Sequence, residues 1–215
     1  KGVADEFQGA AQDLGIDVIG REGIDGSAPN YRSLMNKIAT ADPDAIYFGG
    51  IIENNAAQLI KDKVGAGMSN EDVIFVGPDG IFVDELITQG GDSVEGIYTS
   101  FGGIPPEKLG GAGQEFIDKY EENYDDDVQP YTAYAYEAAN VMLDAIERAS
   151  KDAGGDVPDR QAVVEQVRAT KNYDGVLGTW SFDEDGDTSL TKLSIQEIED
   201  GEFRLNRVLD VSDMQ

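Results

Sequence analysis

The sequence predicts an α/β fold, a parallel sheet covered on both faces by helices. Three observations predict it. Apolar runs of strand length alternate with amphipathic helical runs over the first hundred residues. Glycines fall where those runs stop, as at Gly15, Gly49 and Gly50. After Ser100 the alternation gives way to helical runs with no strands between them.

Each element has its own signal. Val3, Phe7, Ala10, Ala11 and Leu14 recur at helical spacing and Gly15 ends the helix, after which "IDVIGRE" reads as a strand. Tyr31, Leu34, Met35 and Ile38 mark a second helix behind the cap candidate Asn30, followed by the nearly continuous apolar strand "DAIYFGG". A helix over Asn55 to Val64, the strand "DVIFVG", a short helix from Val83 to Thr88 and the strand "EGIYTS" complete the alternation. "FGGIPPEKLGGAG" reads as a connection, and helices follow at Gln114 to Tyr124, Thr132 to Ser150 and Asp159 to Thr170. A helical layer without a sheet of its own needs a partner from elsewhere, because an amphipathic face must be buried. The chain closes with "GVLGTWSF", the turn "DEDGD", and two alternating runs, "LSIQEIE" and "EFRLNRV", joined by Asp200 and Gly201 as a hairpin.

Composition narrows the function classes. At 215 residues with 40% hydrophobic positions and seven prolines, the chain has the makings of one large or two modest folded domains. No run approaches the roughly 18 apolar residues of a membrane-spanning helix, so no transmembrane segment is expected. The chain has neither cysteine nor histidine, which removes thiolate nucleophiles, zinc-thiolate sites and the commonest general base. Forty-three acids against sixteen bases give a net charge of −27. Binding nucleic acid means neutralising phosphates with Lys and Arg, so no nucleic-acid partner is expected. The acidic clusters Asp125, Asp126, Asp127 and Asp183, Glu184, Asp185 read as solvated surface, suited to solubility or to a salty extracellular medium.

One carboxylate stands apart. Asp79 lies between Pro78 and Gly80 where the run "DVIFVG" stops. Pro-Asp-Gly is ordinarily a turn, with Pro fixing φ, Asp bonding a downstream amide and Gly taking positive φ. A carboxylate beyond the carboxyl end of a parallel strand is also where an open α/β sheet binds ligands. The adjacent strand end offers Gly49 and Gly50, which permit close backbone approach but are plain turn formers as well.

In order, "KGVADEFQGAAQDLGIDVIG", "NYRSLMNKIATADPDAIYFGG", "IFVGPDGIF", "VEGIYTS", "YTAYAYEAANVMLDAIERA" and "YDGVLGTWSFDEDGD" resemble successive blocks of the type I periplasmic binding proteins, in the leucine/isoleucine/valine-binding branch that serves ABC importers. The resemblance spans nearly the whole chain. It implies two Rossmann-like lobes with parallel sheets that close on an amino acid or similar small solute, the first lobe being incomplete here. Residues 1–98 would be most of the second lobe, 104–178 the helical remainder of the first, and 188–207 a return to the second. Lys1 to Phe7 already read as helix with no signal peptide and no preceding strand, so the expectation is the carboxy-terminal part of a longer protein.

The resemblance also assigns residues. Asp79 falls where amino-acid-binding members place the acid that pairs with the ligand ammonium, as a desolvated carboxylate; Gly80 shares its turn. Gly49, Gly50 and Ile51 fall at the neighbouring strand end, where Ile51 stands at a position that is commonly aromatic in the family. Tyr131 falls where a first-lobe aromatic often covers the ligand, while its local pattern reads as a helix-start core residue. An ABC permease is the implied partner, the periplasm or the outer cell surface the implied location, with a lipid tether as one form. No cofactor is implied. Two other readings stand beside this one: a sensor or regulator using the same fold, and an enzyme restricted to carboxylate chemistry.

Two further patterns read as structural. Asp183, Asp185 and Asp187 alternate as in a calcium loop, but no Gly follows Asp187 and Ser194 occupies the twelfth position, where Glu is required. Tyr131, Tyr134 and Tyr136 read as helix packing rather than a stacking platform.

Overall fold

A computed structural model describes residues 2–126 and 128–214; Lys1, Asp127 and Gln215 lie outside the described residues, and with Asp127 part of the acidic-cluster reading. The chain divides into two compact units, Lys1–Gly102 with Leu193–Leu209, and Gly103–Lys192 with the residues from Asp210 on.

The first unit holds helices α1 (Gly2–Asp13), α2 (Arg32–Ala39), α3 (Ala56–Gly65) and α4 (Asp84–Gly90) and strands β1 (Ala45–Tyr47), β2 (Ile74–Gly77) and β3 (Tyr98–Phe101). Further along, β4 (Tyr173–Gly175) and β5 (Gly178–Trp180) belong to the second unit, while β6 (Lys192–Glu199) and β7 (Glu202–Asp210) close the first unit's sheet. The sheet order is β1-β2-β3-β6-β7. β1, β2 and β3 run parallel, and β6 joins β3 antiparallel, so the sheet is mixed rather than wholly parallel. Its turn is the expected hairpin: Asp200 and Gly201 both take positive φ, 55° and 73°, as a tight two-residue turn requires. Glu95 secures it by accepting the N–H groups of Asp200 at 2.6 Å and Gly201 at 3.2 Å.

Helices and sheet share one core of Met35, Ile60, Phe75, Ile81, Leu86, Ile97 and Ile198. α1 ends as its glycine predicts, with Gly15 at φ 79° donating to the Gln12 carbonyl at 3.0 Å. The start of α2 differs from expectation. Tyr31 occupies the N-cap position, and its N–H donates to the buried Asp62 carboxylate of α3 at 2.6 Å; Asn30 contributes only a 3.4 Å contact to the Arg32 N–H.

The segment "IDVIGRE" also departs from the reading, because residues 16–22 form no strand. A strand exists through its ladder, and among the described residues this segment has no strand to pair with. Ile16 and Ile19 are left 57% and 55% exposed.

Lys63 on α3 is fully buried, with its ammonium donating to Met68 O, Ser69 O and Asn70 Oδ1 at 2.9–3.0 Å. Burial pushes its pKa down from 10.5 to about 8, partly opposed by the charge of Asp72. Between those two values the folded chain holds less proton at this site than the unfolded chain, so this group makes stability rise with pH across the window. Urea midpoints from pH 8 to 10 should therefore rise in the native chain relative to Lys63→Met, and a parallel pH course for the two would remove Lys63 as the cause.

The second unit is built on α5 (Ala112–Tyr124), α6 (Thr132–Asp152) and α7 (Arg160–Arg168), with β4 and β5 as an antiparallel hairpin. α6 buries Ala133, Glu137, Val141, Ala145 and Ala149 at i, i+4 spacing, yet its other face exposes Tyr136, Met142, Leu143 and Ile146. The buried stripe contains an acid because the hairpin supplies donors to it. Glu137, 2% exposed, accepts the Val176 N–H at 2.9 Å, the Leu177 N–H at 3.4 Å and the Trp180 indole N–H at 2.8 Å. Tyr134 is half-buried and bonds the Ile104 backbone, whereas Tyr136 packs its exposed ring on Phe116 at 4.6 Å. In the "DEDGD" turn the Asp183 carboxylate accepts the N–H groups of Asp185, Gly186 and Asp187 at 2.8–3.0 Å, which holds its pKa below the usual value.

Candidate functional site

The carboxyl ends of β1 and β2 lie side by side in parallel register, with Tyr47 opposite Val76. Their loops meet. After β1 the chain runs through Gly49, Gly50 and Ile51 into a single 3₁₀ turn, Ile52–Asn54, where Asn54 Oδ1 accepts the Ile51 N–H at 3.0 Å. Asn55 then takes φ 61°, a conformation Asn tolerates, and starts α3 while its amide donates to Ala28 O at 2.9 Å. After β2, Pro78 leads into a second 3₁₀ turn, Asp79–Ile81, closed by the Ile81 N–H on Pro78 O at 3.1 Å and the Phe82 N–H on Asp79 O at 2.9 Å.

The two loops touch at Gly80. A Cβ there would overlap the Ile51 side chain and lie 3.2 Å from the Ile51 Cα. Gly80 is therefore required for close approach and not, as its turn motif suggests, for positive φ, which it does not adopt. The glycines of the other loop have similar reasons. A Cβ on Gly49 would stand 2.7 Å from the Ala4 Cβ, and one on Gly50 would enter the Phe48 ring. Both are held by the protein's own packing. Gly80→Ala should cost about 1–3 kcal/mol by overpacking, and Ile51→Ala in the same chain should recover most of it. Urea denaturation of the two single variants and the double variant checks this, an additive double variant being the contrary result.

Asp79 is exposed at this junction of the first unit. Its charge reaches Tyr47, whose hydroxyl is pushed above its usual pKa first by burial and then by Asp79. Tyr47 was not a sequence candidate; its signal was an aromatic at the last position of a strand beside a loop acid. The Phe7 ring of α1 stacks on it, centroids 3.7 Å apart and planes within 3°. Ile51 stands 46% exposed and packs against Gly80, the residue that follows Asp79.

The structure thus brings Gly49, Gly50, Ile51, Asp79 and Gly80 to one edge of the first unit. Tyr131 belongs to the second unit, at the N-cap of α6, 44% exposed. Among the described residues no helix is long and apolar enough to cross a membrane, and no group of three or more acids is placed to hold a metal ion.

The loops after β1 and β2 thus meet beyond the carboxyl ends of the parallel strands of a mixed α/β sheet, the place where open α/β sheets hold ligands. A family profile described as periplasmic binding protein matches residues 1–202, and the chain belongs to that family. A Leu/Ile/Val-binding protein homolog of Brucella abortus is 29% identical over 190 residues, 88% of this chain and 48% of the relative. A leucine-, isoleucine-, valine-, threonine- and alanine-binding protein of Pseudomonas aeruginosa is 27% identical over 201 residues, covering 92% and 49% respectively. Among solved structures, a leucine-binding protein of Thermotoga maritima superposes with a TM-score of 0.80 at 26% identity, over 99% of this chain and 57% of that one. The fold is that of the type I periplasmic binding proteins, an extracytoplasmic family, and the chain spans about half the length of the curated relatives it matches.

Proposed function

We propose that the whole protein is the solute-binding component of an ABC importer and that it binds an amino acid, of branched-chain type, without converting it. The carrying observation is that the loops after β1 and β2 meet where Ile51 packs on Gly80, in the turn that carries the exposed Asp79. A carboxylate pairs with an ammonium through charge-assisted hydrogen bonds, and an aliphatic wall beside it suits an aliphatic side chain. The names of the relatives support the same solute class.

On this reading the first unit is most of the second lobe and the second unit is the remainder of the first lobe. Gly49, Gly50 and Gly80 offer backbone beside the ligand, and Tyr131 covers it from the other lobe. Ligand entry and lobe closure would desolvate Asp79. The uncovered α6 face, with Met142, Leu143 and Ile146, would pack on the first lobe's own sheet, and an ABC permease would take the solute from the closed form. The protein works outside the cytoplasmic membrane, free or lipid-tethered.

The test is native mass spectrometry of the full-length protein after incubation with a mixture of the common amino acids. One bound amino acid per chain, recovered chemically unchanged after hours, is expected. A released product accumulating over many turnovers would overturn the non-enzymatic reading.

A further inference from the structure

Ile51 has only its side chain to offer, because its backbone is already taken. Its N–H donates to Asn54 Oδ1 and its carbonyl accepts the Asn54 N–H, both at 3.0 Å. One residue holds both groups. The two bonds close a ring over Ile51–Asn54, and from that ring the Ile51 side chain crosses to Gly80 in the neighbouring turn.

Asn54 is itself held from the other side. A Cβ on Gly26 would stand 3.1 Å from the Asn54 Cα and 3.5 Å from its Nδ2, so the loop of residues 23–31 lies against it. That loop is fastened at three further points. The Asn55 amide donates to Ala28 O at 2.9 Å, the Tyr31 hydroxyl to Asp25 O at 2.8 Å, and the Tyr31 N–H to the buried Asp62 carboxylate at 2.6 Å. Tyr31 is 5% exposed, which anchors the loop in the core. Asn54 thus stands between an anchored loop and the one side chain that spans the two strand-end loops.

We propose that Asn54 is the positioning residue of the candidate site: through its two bonds to Ile51 it sets how far the Ile51 side chain reaches over Gly80, and so which solute side chains fit there. The proposal rests on the amino-acid-binding reading. A long aliphatic side chain meets Ile51, whereas the methyl of alanine falls short of it, so a displaced Ile51 costs the longer solute more. The Ile51 N–H to Asn54 bond lies at an exposed place. Water can take it over, and the fold survives its loss.

The test is the ratio of leucine to alanine affinity in the full-length protein, with leucine titrated by calorimetry and alanine measured by its displacement. Asn54→Ala should lower that ratio about tenfold, the scale of one misplaced methylene contact. Asn54→Asp, which keeps an oxygen for the Ile51 N–H, should restore most of it. Gly26→Ala, which presses on Asn54 and leaves both bonds in place, should lower the ratio in the same direction and keeps the test decisive where Asn54→Ala does not fold. In an Ile51→Ala chain, with no side chain left to place, Asn54→Ala should move the ratio by less than about twofold, as uncoupled sites do. A structural role alone would lower the urea midpoint and weaken leucine and alanine equally. Equal losses, an unmoved ratio, or a drop that persists in the Ile51→Ala chain overturns the proposal. A native protein that binds neither amino acid overturns the underlying reading, and the proposal with it.

Discussion

Asp79→Ala in the full-length protein should weaken amino-acid binding by about 2–5 kcal/mol, the scale for truncating one partner of a charge pair that becomes buried, or about 30-fold and upward in Kd. Stability should barely change. The turn that holds Asp79 is closed by backbone bonds, Ile81 N–H to Pro78 O and Phe82 N–H to Asp79 O, which an alanine keeps. A turn residue with no ligand role gives the reverse pattern, a loss of about 1 kcal/mol in stability with affinity intact. Calorimetric titration and a urea melt of the same variant separate the two. Asp79→Asn should fall between native and alanine in affinity, since an amide oxygen still accepts a hydrogen bond but carries no charge.

The largest stability effect should come from the second unit. Glu137→Ala removes the acceptor for two buried donors, the Val176 N–H and the Trp180 indole, and for the partly buried Leu177 N–H, and opens a cavity under the β4–β5 hairpin. An unsatisfied buried donor costs about 1–3 kcal/mol, so the variant should lose about 3 kcal/mol or more. Glu137→Gln keeps one oxygen but turns an NH₂ toward donors, and should lose about half as much. Trp180 is the chain's single tryptophan, so its emission reports this hairpin alone, and urea unfolding followed at that emission measures both variants. Gly175→Ala should reproduce much of the loss by a different route, because its Cβ would overlap the Glu137 carboxylate. A Glu137→Ala chain as stable as the native one would mean that water replaces the carboxylate at no cost.

How much of this was legible follows from how local each cause is. The helices were read to within a few residues, because apolar spacing and an end signal such as Gly15 lie in the sequence beside them. Residues 16–22 carry the pattern of a strand and are not one, since a ladder needs a second backbone that no local pattern supplies. Gly80 was picked out for its turn chemistry, whereas its cause is Ile51 pressing from another loop, a tertiary contact invisible at the level of the motif. Glu137 did leave a trace: it falls in phase with the apolar stripe Ala133, Val141, Ala145 and Ala149, and an acid there announces donors nearby. Lys63 left none, because its three acceptors come from the loop beyond its own helix. Of the candidate site, the two strand ends with Gly49, Gly50 and the Pro78-Asp79-Gly80 turn were legible as places where apolar runs stop. Their convergence at Ile51 and Gly80 required the fold.

The central claim is that this chain carries the acid-bearing half of an amino-acid-binding site. Titrating leucine, isoleucine and valine into the full-length protein by calorimetry tests it most directly, and the account predicts saturable binding of at least one of them at one site per chain. No heat from any of the three, in a protein shown folded by its Trp180 emission and a cooperative urea transition, would contradict it.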